Sequence, residues 1–398
     1  MTKENAANAS LFFHTNGSVK APTLFMLGSL PLFWCGGWSW AVTCVFGGLL
    51  VALCNAVEDI KATEKQAIRH NIISAHEIYQ EIVVIERQLH KAQTAAANPE
   101  TVAEVEAYAR MILETGLAAL AKKYGKEVHE KTPKEERNAR GLECQTASYV
   151  ALRMFPNDTA FVAAAVSLLA LVAKNERVRE RIVQEADEYG LNVPLVCAQR
   201  ALQRAQDDPT PNQKSEQQSA ELQRKNCLLL GALADGDATI ASLIVQEGGI
   251  EIIMNAAQWY RYHEEVANWA LWAIFILCYE YPPTKVVVVE QNGVALILQS
   301  MRNNPVKDVF RHGIAILFDL MREPTHANDK AAPQEKVSSV PKLDIWKIRQ
   351  SALASGLHEI IVRAMCENKD AVDIFMMSQE ILVGTNYLGP IPKFERKT

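Results

Sequence analysis

The sequence predicts an all-helical protein: a membrane segment near the N-terminus, one long amphipathic helix, and then a stacked array of paired helices. Three observations carry this reading. No charged side chain occurs between Lys20 and Glu58. From Ile68 onward the apolar residues recur at helical spacing. Between Gly141 and Leu357 a glycine followed by an aliphatic residue recurs at widely spaced positions. Composition agrees, since 19 glycines among 398 residues, with abundant alanine and leucine, favour helices.

Residues 1–20 are polar and are expected to be disordered. Residues 21–57 form an uncharged run of 37 residues, longer than the ~20 a spanning helix needs. The best span is Trp38 to Val57, opened by Trp38 and Trp40 as interfacial aromatics. The earlier run, Thr23 to Phe33, is too short to cross alone. It would lie at the interface or form the first arm of a hairpin turning at Gly36 and Gly37. The run is long for a signal peptide and lacks a clear cleavage site. The first 60 residues also contain no arginine, unlike a mitochondrial presequence. Lys61, Lys65 and Arg69 follow the segment, so the positive-inside bias places the remainder in the cytosol.

Residues 58–97 read as a long stalk helix. Its apolar seam, Ile68, Ala75, Ile78, Ile82, Ile85, Leu89 and Ala92, follows heptad spacing from Ala75. A second copy could fill the seam across residues 68–92 as a short coiled coil. The alternative, favoured by a length of only about three heptads, is that the following domain covers it. Asn98 and Pro99 supply a cap and first-turn proline for a further helix to about Tyr124. Residues 98–140 are thus a capping helix followed by a charged stretch, Lys126 to Arg140, read as a linker or an exposed helix.

The widely spaced glycine–aliphatic pairs are Gly141-Leu142, Gly190-Leu191, Gly249-Ile250, Gly293-Val294 and Gly356-Leu357, separated by 49, 59, 44 and 63 residues. Each glycine is expected to open an apolar helix, with a second apolar helix after it. Gly249 to Trp269 is 20 residues, Gly293 to Ile314 is 21 and Gly356 to Met376 is 20. Polar, proline-containing insertions at 206–219 and 323–343 account for the longer separations. Without them the period is about 42–49 residues, within the range of helical solenoids.

The stretches IVQEGGIEIIMNAAQ…EEVANWALWAIFIL (Ile244 to Leu277) and VVEQNGVALILQSMRNNPVKDVFRHGIAILFDLM (Val288 to Met321) resemble armadillo repeats. They share that family's glycine–aliphatic turn, apolar second helix, polar break and third helix. HEAT repeats are the nearest related class. The resemblance covers residues 141–387, with residues 388–398 a tail. It implies a right-handed α-solenoid of about five repeats, whose third helices line a concave groove for a protein partner. Importin-type members carry tryptophan and asparagine four apart in that groove. Here Trp269 stands at the tryptophan position and Ala273 at the asparagine position, followed by Ile314 with Phe318 and Met376 with Glu380. The missing ladder argues against reading nuclear-import signals.

A formal charge of −5 argues against nucleic acid. The eight cysteines form no C-x-x-C pair and no zinc spacing, so no metal or other cofactor is expected. No nucleophile-elbow, phosphate-loop, dinucleotide or H-E-x-x-H pattern occurs, so no catalytic residue is assigned. The candidate partner-binding residues are Trp259, Tyr260, Trp269 and Trp272, joined by Arg261, Arg311 and His312, because aromatics and arginine carry much interface energy. The alternative for Trp272 and some of the others is packing between repeats. The expectation is a scaffold or adaptor anchored in an endomembrane or the mitochondrial outer membrane, its lipid contact made by residues 21–57. A structural subunit of a larger membrane complex and an enzyme with an unfamiliar site are the competing classes.

Overall fold

The computed structural model describes residues 75–94, 99–129, 132–208, 213–322 and 343–394. The chain divides into two units, 1–66 and 67–398, and every described residue belongs to the second. The expected disordered stretch, the membrane segment at 21–57, the start of the stalk and most of the 323–343 insertion lie outside the described residues. Among the described residues the regular structure is all helical. No single described helix is long and apolar enough to cross a membrane.

Helix α1 (Ala75–Thr94) carries the heptad seam. Its neighbours are α2 (Pro99–His129) and α3 (Lys134–Met154). Ile78, Ile82, Ile85 and Leu89 are buried, at 3% exposure or less. Gly116 of α2 permits the close approach, because a Cβ there would come within 3.1 Å of Ile82 Cδ1 and 3.2 Å of Ile78 Cγ2. Polar clasps flank the seam: Arg153 donates to Glu86 at 2.9 Å, and His76 Nδ1 lies 2.7 Å from Glu143. The chain thus fills these seam positions itself, as the packed-helix alternative expects.

The charged stretch 126–140 is more helical than a linker. Helix α2 runs to His129, and α3 starts at Lys134 just after Pro133. Gly141 lies inside α3 and does not open it, a correction to the glycine rule. Its role is close packing, since a Cβ there would meet the Asn175 side chain at 2.7 Å. Lysine, glutamate and arginine are good helix formers, so an exposed first turn needs no apolar face.

Next come α4 (Thr159–Val172), α5 (Glu176–Gln184), the short α6 (Ala186–Tyr189) and α7 (Asn192–Asp207). Helix α8 (Gln213–Ala234) follows, so the expected 206–219 insertion is mostly helix. Then come α9 (Ala238–Gln246), α10 (Gly249–Trp259), α11 (Glu264–Glu280), α12 (Thr284–Glu290), α13 (Gly293–Asn303) and α14 (Lys307–Met321). The last three are α15 (Ile345–Ala354), α16 (Leu357–Glu367) and α17 (Val372–Gly384). Side-chain caps start several of them. Asp158, Asn175, Asp237 and Asp344 each accept backbone N–H bonds at the first turn of α4, α5, α9 and α15.

The turns before α10, α13 and α16 share one device, at the expected glycine before α16 and one residue ahead of it before α10 and α13. The left-handed residue is Gly248 (φ 77°), Asn292 (φ 60°) or Gly356 (φ 81°). Gly249 and Gly293 themselves serve close approach: a Cβ at each would press on the carbonyl oxygens of Ile244 (2.8 Å) and Val288 (2.6 Å). Helices α4, α8, α11, α14 and α17 pack successively, each on the next. Helices α7, α10 and α13 follow the same order beside them, and α13 meets both α15 and α16. Arginines tie helix ends across the packing. Arg179 donates to Asp235 O at 2.7 Å, Arg349 to Met321 O at 3.0 Å and Arg302 to Ser355 O at 2.8 Å.

Candidate functional site

Helices α8, α11, α14 and α17 each bury two sides and leave one partly open. Aligning them by burial places equivalent residues in columns. The first column is acidic: Glu221, Glu265, Asp308 and Asp373. One turn on stand Arg224, Asn268, Arg311 and Met376. Beside these lie Lys225, Trp269, His312 and Met377. The next turn holds Leu228, Trp272, Ala315 and Glu380.

Side chains bridge these columns from helix to helix. Arg224 grips Glu221 of its own helix with two bonds of 2.6 and 2.7 Å. The Glu221 bond, helped by the charge of Glu265 on α11, raises the affinity of Arg224 for its proton against the cost of burial. Arg311 likewise donates to Asp308 of its own helix at 2.5 Å and, unlike Arg224, also bonds across to Asp373 of α17 at 2.6 Å. The Asp373 bond dominates the upward shift of Arg311. Burial opposes ionisation of Asp373, but the Arg311 bond and charge together with backbone N–H bonds outweigh it and the pKa falls. Such exposed pairs contribute only about 0–1 kcal/mol of stability each, so their chief effect is to fix positions. Between these clasps, His312 Nδ1 lies 3.1 Å from Asn268 Oδ1. Burial lowers the His312 pKa below the usual histidine value.

The aromatic part of the face belongs to α11. Trp269 and Trp272 meet edge to face at 5.5 Å. Trp272 also lies over Gly231 of α8, where any side chain would collide with its ring. Trp272 therefore packs between helices on one side, as its alternative reading expects, while both tryptophans stay partly open. Phe275 and Tyr279 continue the stripe, stacked at 6.3 Å, and Tyr279 is 67% exposed. On α14, Arg322 sits over Phe318. Met376 and Val383 of α17 are exposed.

The seven candidate residues do not form one site. Trp269, Trp272, Arg311 and His312 share the four-helix face. Trp259, Tyr260 and Arg261 sit elsewhere, at the α10–α11 turn, lining an open cleft of about 1080 Å³ with the end of α7 and the start of α8. Trp259 is half exposed, and the buried Tyr260 donates its hydroxyl to Ser219 Oγ at 2.7 Å. Arg261 lies over the Tyr262 ring, and its carbonyl accepts from Asn304 at 2.9 Å.

Two positions assigned by counting from glycine are corrected. Ile314 is fully buried and faces the core, and Met377, one residue beyond Met376, stands level with Trp269. The α14 residue equivalent to Trp269 is His312, because the α13–α14 connection is one residue shorter than the α10–α11 connection. Sequence reasoning also missed Phe275, Tyr279 and the acidic column. Their signal was present in the three- and four-residue steps from Trp269 through Trp272 and Phe275 to Tyr279. Among the described residues no group of three or more His, Cys, Asp and Glu side chains could hold a metal ion. The chain matches no family model, no curated protein and no solved structure.

Proposed function

We propose that this protein is a membrane-anchored adaptor. An armadillo-type solenoid of about five repeats presents the α8–α11–α14–α17 face to a protein partner. Residues 21–57 hold it in the bilayer, with the solenoid on the cytosolic side. The observation that carries this reading is the cross-helix ladder. Arg224 and Arg311 are held by acids on their own helix and biased by an acid on the next, while Trp269, Trp272, Phe275 and Tyr279 remain partly open between them. A fixed aromatic strip inside a polar frame is the anatomy of a protein-binding hot spot. The repeat reading is supported by the successive packing of α4, α8, α11, α14 and α17 and by the recurring left-handed turn before α10, α13 and α16. The anchor reading rests on the 37-residue uncharged run.

The test places a photo-crosslinking residue at Phe275, with Val196 as an exposed control on α7. The adaptor reading predicts one discrete protein adduct from position 275 in the membrane fraction. The Trp269→Ala variant should weaken it, by about 2 kcal/mol if Trp269 is a hot spot. Deleting residues 1–57 should release the chain from the membrane fraction. Equal adducts from both positions, or indifference to Trp269→Ala, would count against this face.

A further inference from the structure

The cleft beside the α10–α11 turn is separate from the α11 face and has its own chemistry. Five of its lining side chains are primary amides: Gln206, Gln213, Gln217, Asn255 and Gln258. All five are exposed, and none bonds to another described residue. His263 also lines the cleft, with a buried Nδ1 that has no partner. Two aromatic side chains stand open at the same place, Trp259 at 49% and Tyr262 at 72% exposure. The formal charges of the lining cancel, Arg204 and Arg261 against Asp208 and Glu216. Arg204 is already committed to the backbone oxygens of Asn157 (2.6 Å) and Pro156 (3.5 Å).

A strongly charged ligand would find no net field here. A ligand offering mainly acceptors would find amide N–H groups, the Trp259 indole N–H and an aromatic shelf. An extended proline-rich segment has that character. Proline lacks an N–H, so its carbonyls need donors from outside the segment. The polyproline II backbone makes no internal hydrogen bonds, and its rings pack on exposed aromatic faces. We infer that this cleft is a second binding site, for an uncharged, extended, proline-rich segment of a partner protein. The proline rings pack on Trp259 and Tyr262, and the segment's carbonyls accept from the amides.

The test uses the full chain in detergent and a short fluorescein-labelled peptide of alternating proline and alanine. Anisotropy is compared with a glycine–serine peptide and a lysine–proline peptide of equal length. The inference predicts saturable binding of the proline–alanine peptide, about tenfold weaker after Trp259→Ala. Gln258→Leu, which keeps the side-chain volume and removes the donors, should also weaken it. Trp269→Ala should leave it unchanged, which separates this cleft from the α11 face. Thermal unfolding of each variant checks that the fold is intact. No saturable binding, equal binding of the glycine–serine peptide, tighter binding of the lysine–proline peptide, or indifference to both Trp259→Ala and Gln258→Leu would overturn the inference.

Discussion

The ring of Trp272 lies where a side chain at Gly231 would be, so a missing side chain on one helix decides how an aromatic on the next is presented. Gly231→Val is therefore expected to push Trp272 off its seat. Overpacking of this kind costs about 1–3 kcal/mol. Tryptophan fluorescence should shift with the melting temperature, whereas the same substitution at Gly125 of α2, which has open space around it, should leave the tryptophans alone. The buried cysteines give a second expectation at this scale. Burial pushes the thiols of Cys144, Cys227 and Cys278 each up to about 12. A thiol whose folded pKa exceeds its unfolded value keeps its proton only while folded, so the unfolded chain binds fewer protons above the unfolded value. Stability should then fall as the pH rises from 9.0 toward 12. Denaturant unfolding at successive pH values measures this. A flat profile would mean the thiols are not sequestered.

Helix α1 shows how a sequence pattern can be right about periodicity and silent about the occupant. Its seam marked Ile78, Ile82, Ile85 and Leu89 as one apolar stripe, and all four are buried. Heptad spacing serves a second copy and a neighbouring helix equally well. What decides is Gly116 on α2, which lets Ile78 and Ile82 seat closely. Ile82→Ala should cost about 2–5 kcal/mol, the range for emptying a well-packed site. Hydrogen exchange should localise the loosening to α1 and its neighbours α2 and α3. Gly141 lies inside α3, whereas the turns before α10, α13 and α16 were legible from their glycines, since a sharp chain reversal needs a left-handed residue. Their register was not. Asn292 performs the turn that Gly248 performs elsewhere, and a search for glycine passes over it. The one-residue difference in the following connection, added to a count of 21 rather than 20 from Gly293, then moved the site from His312 to Ile314. The helical ends of the 206–219 stretch were hidden because glutamine, glutamate and lysine are common in both loops and exposed helices.

At the scale of the whole unit, helices α4, α8, α11, α14 and α17 are each packed on the next, and the proposed binding face exists only because they are. In the proposed solenoid each pair has an apolar side that it cannot cover alone, so stability would be a sum of local and nearest-neighbour terms. This is why composition and periodicity announced the helical class while the site stayed dispersed in the sequence. Arg311 and Asp373, and Asn268 and His312, become neighbours only through the packing order. The most direct test is hydrogen exchange on the full chain carrying Ile361→Ala, a substitution at a fully buried position of α16. A nearest-neighbour stack predicts faster exchange in α16 and α17, less in α13 and α14, and no change in α3 and α4. Equal acceleration from α3 through α17 would mean one cooperative globule and would contradict the account.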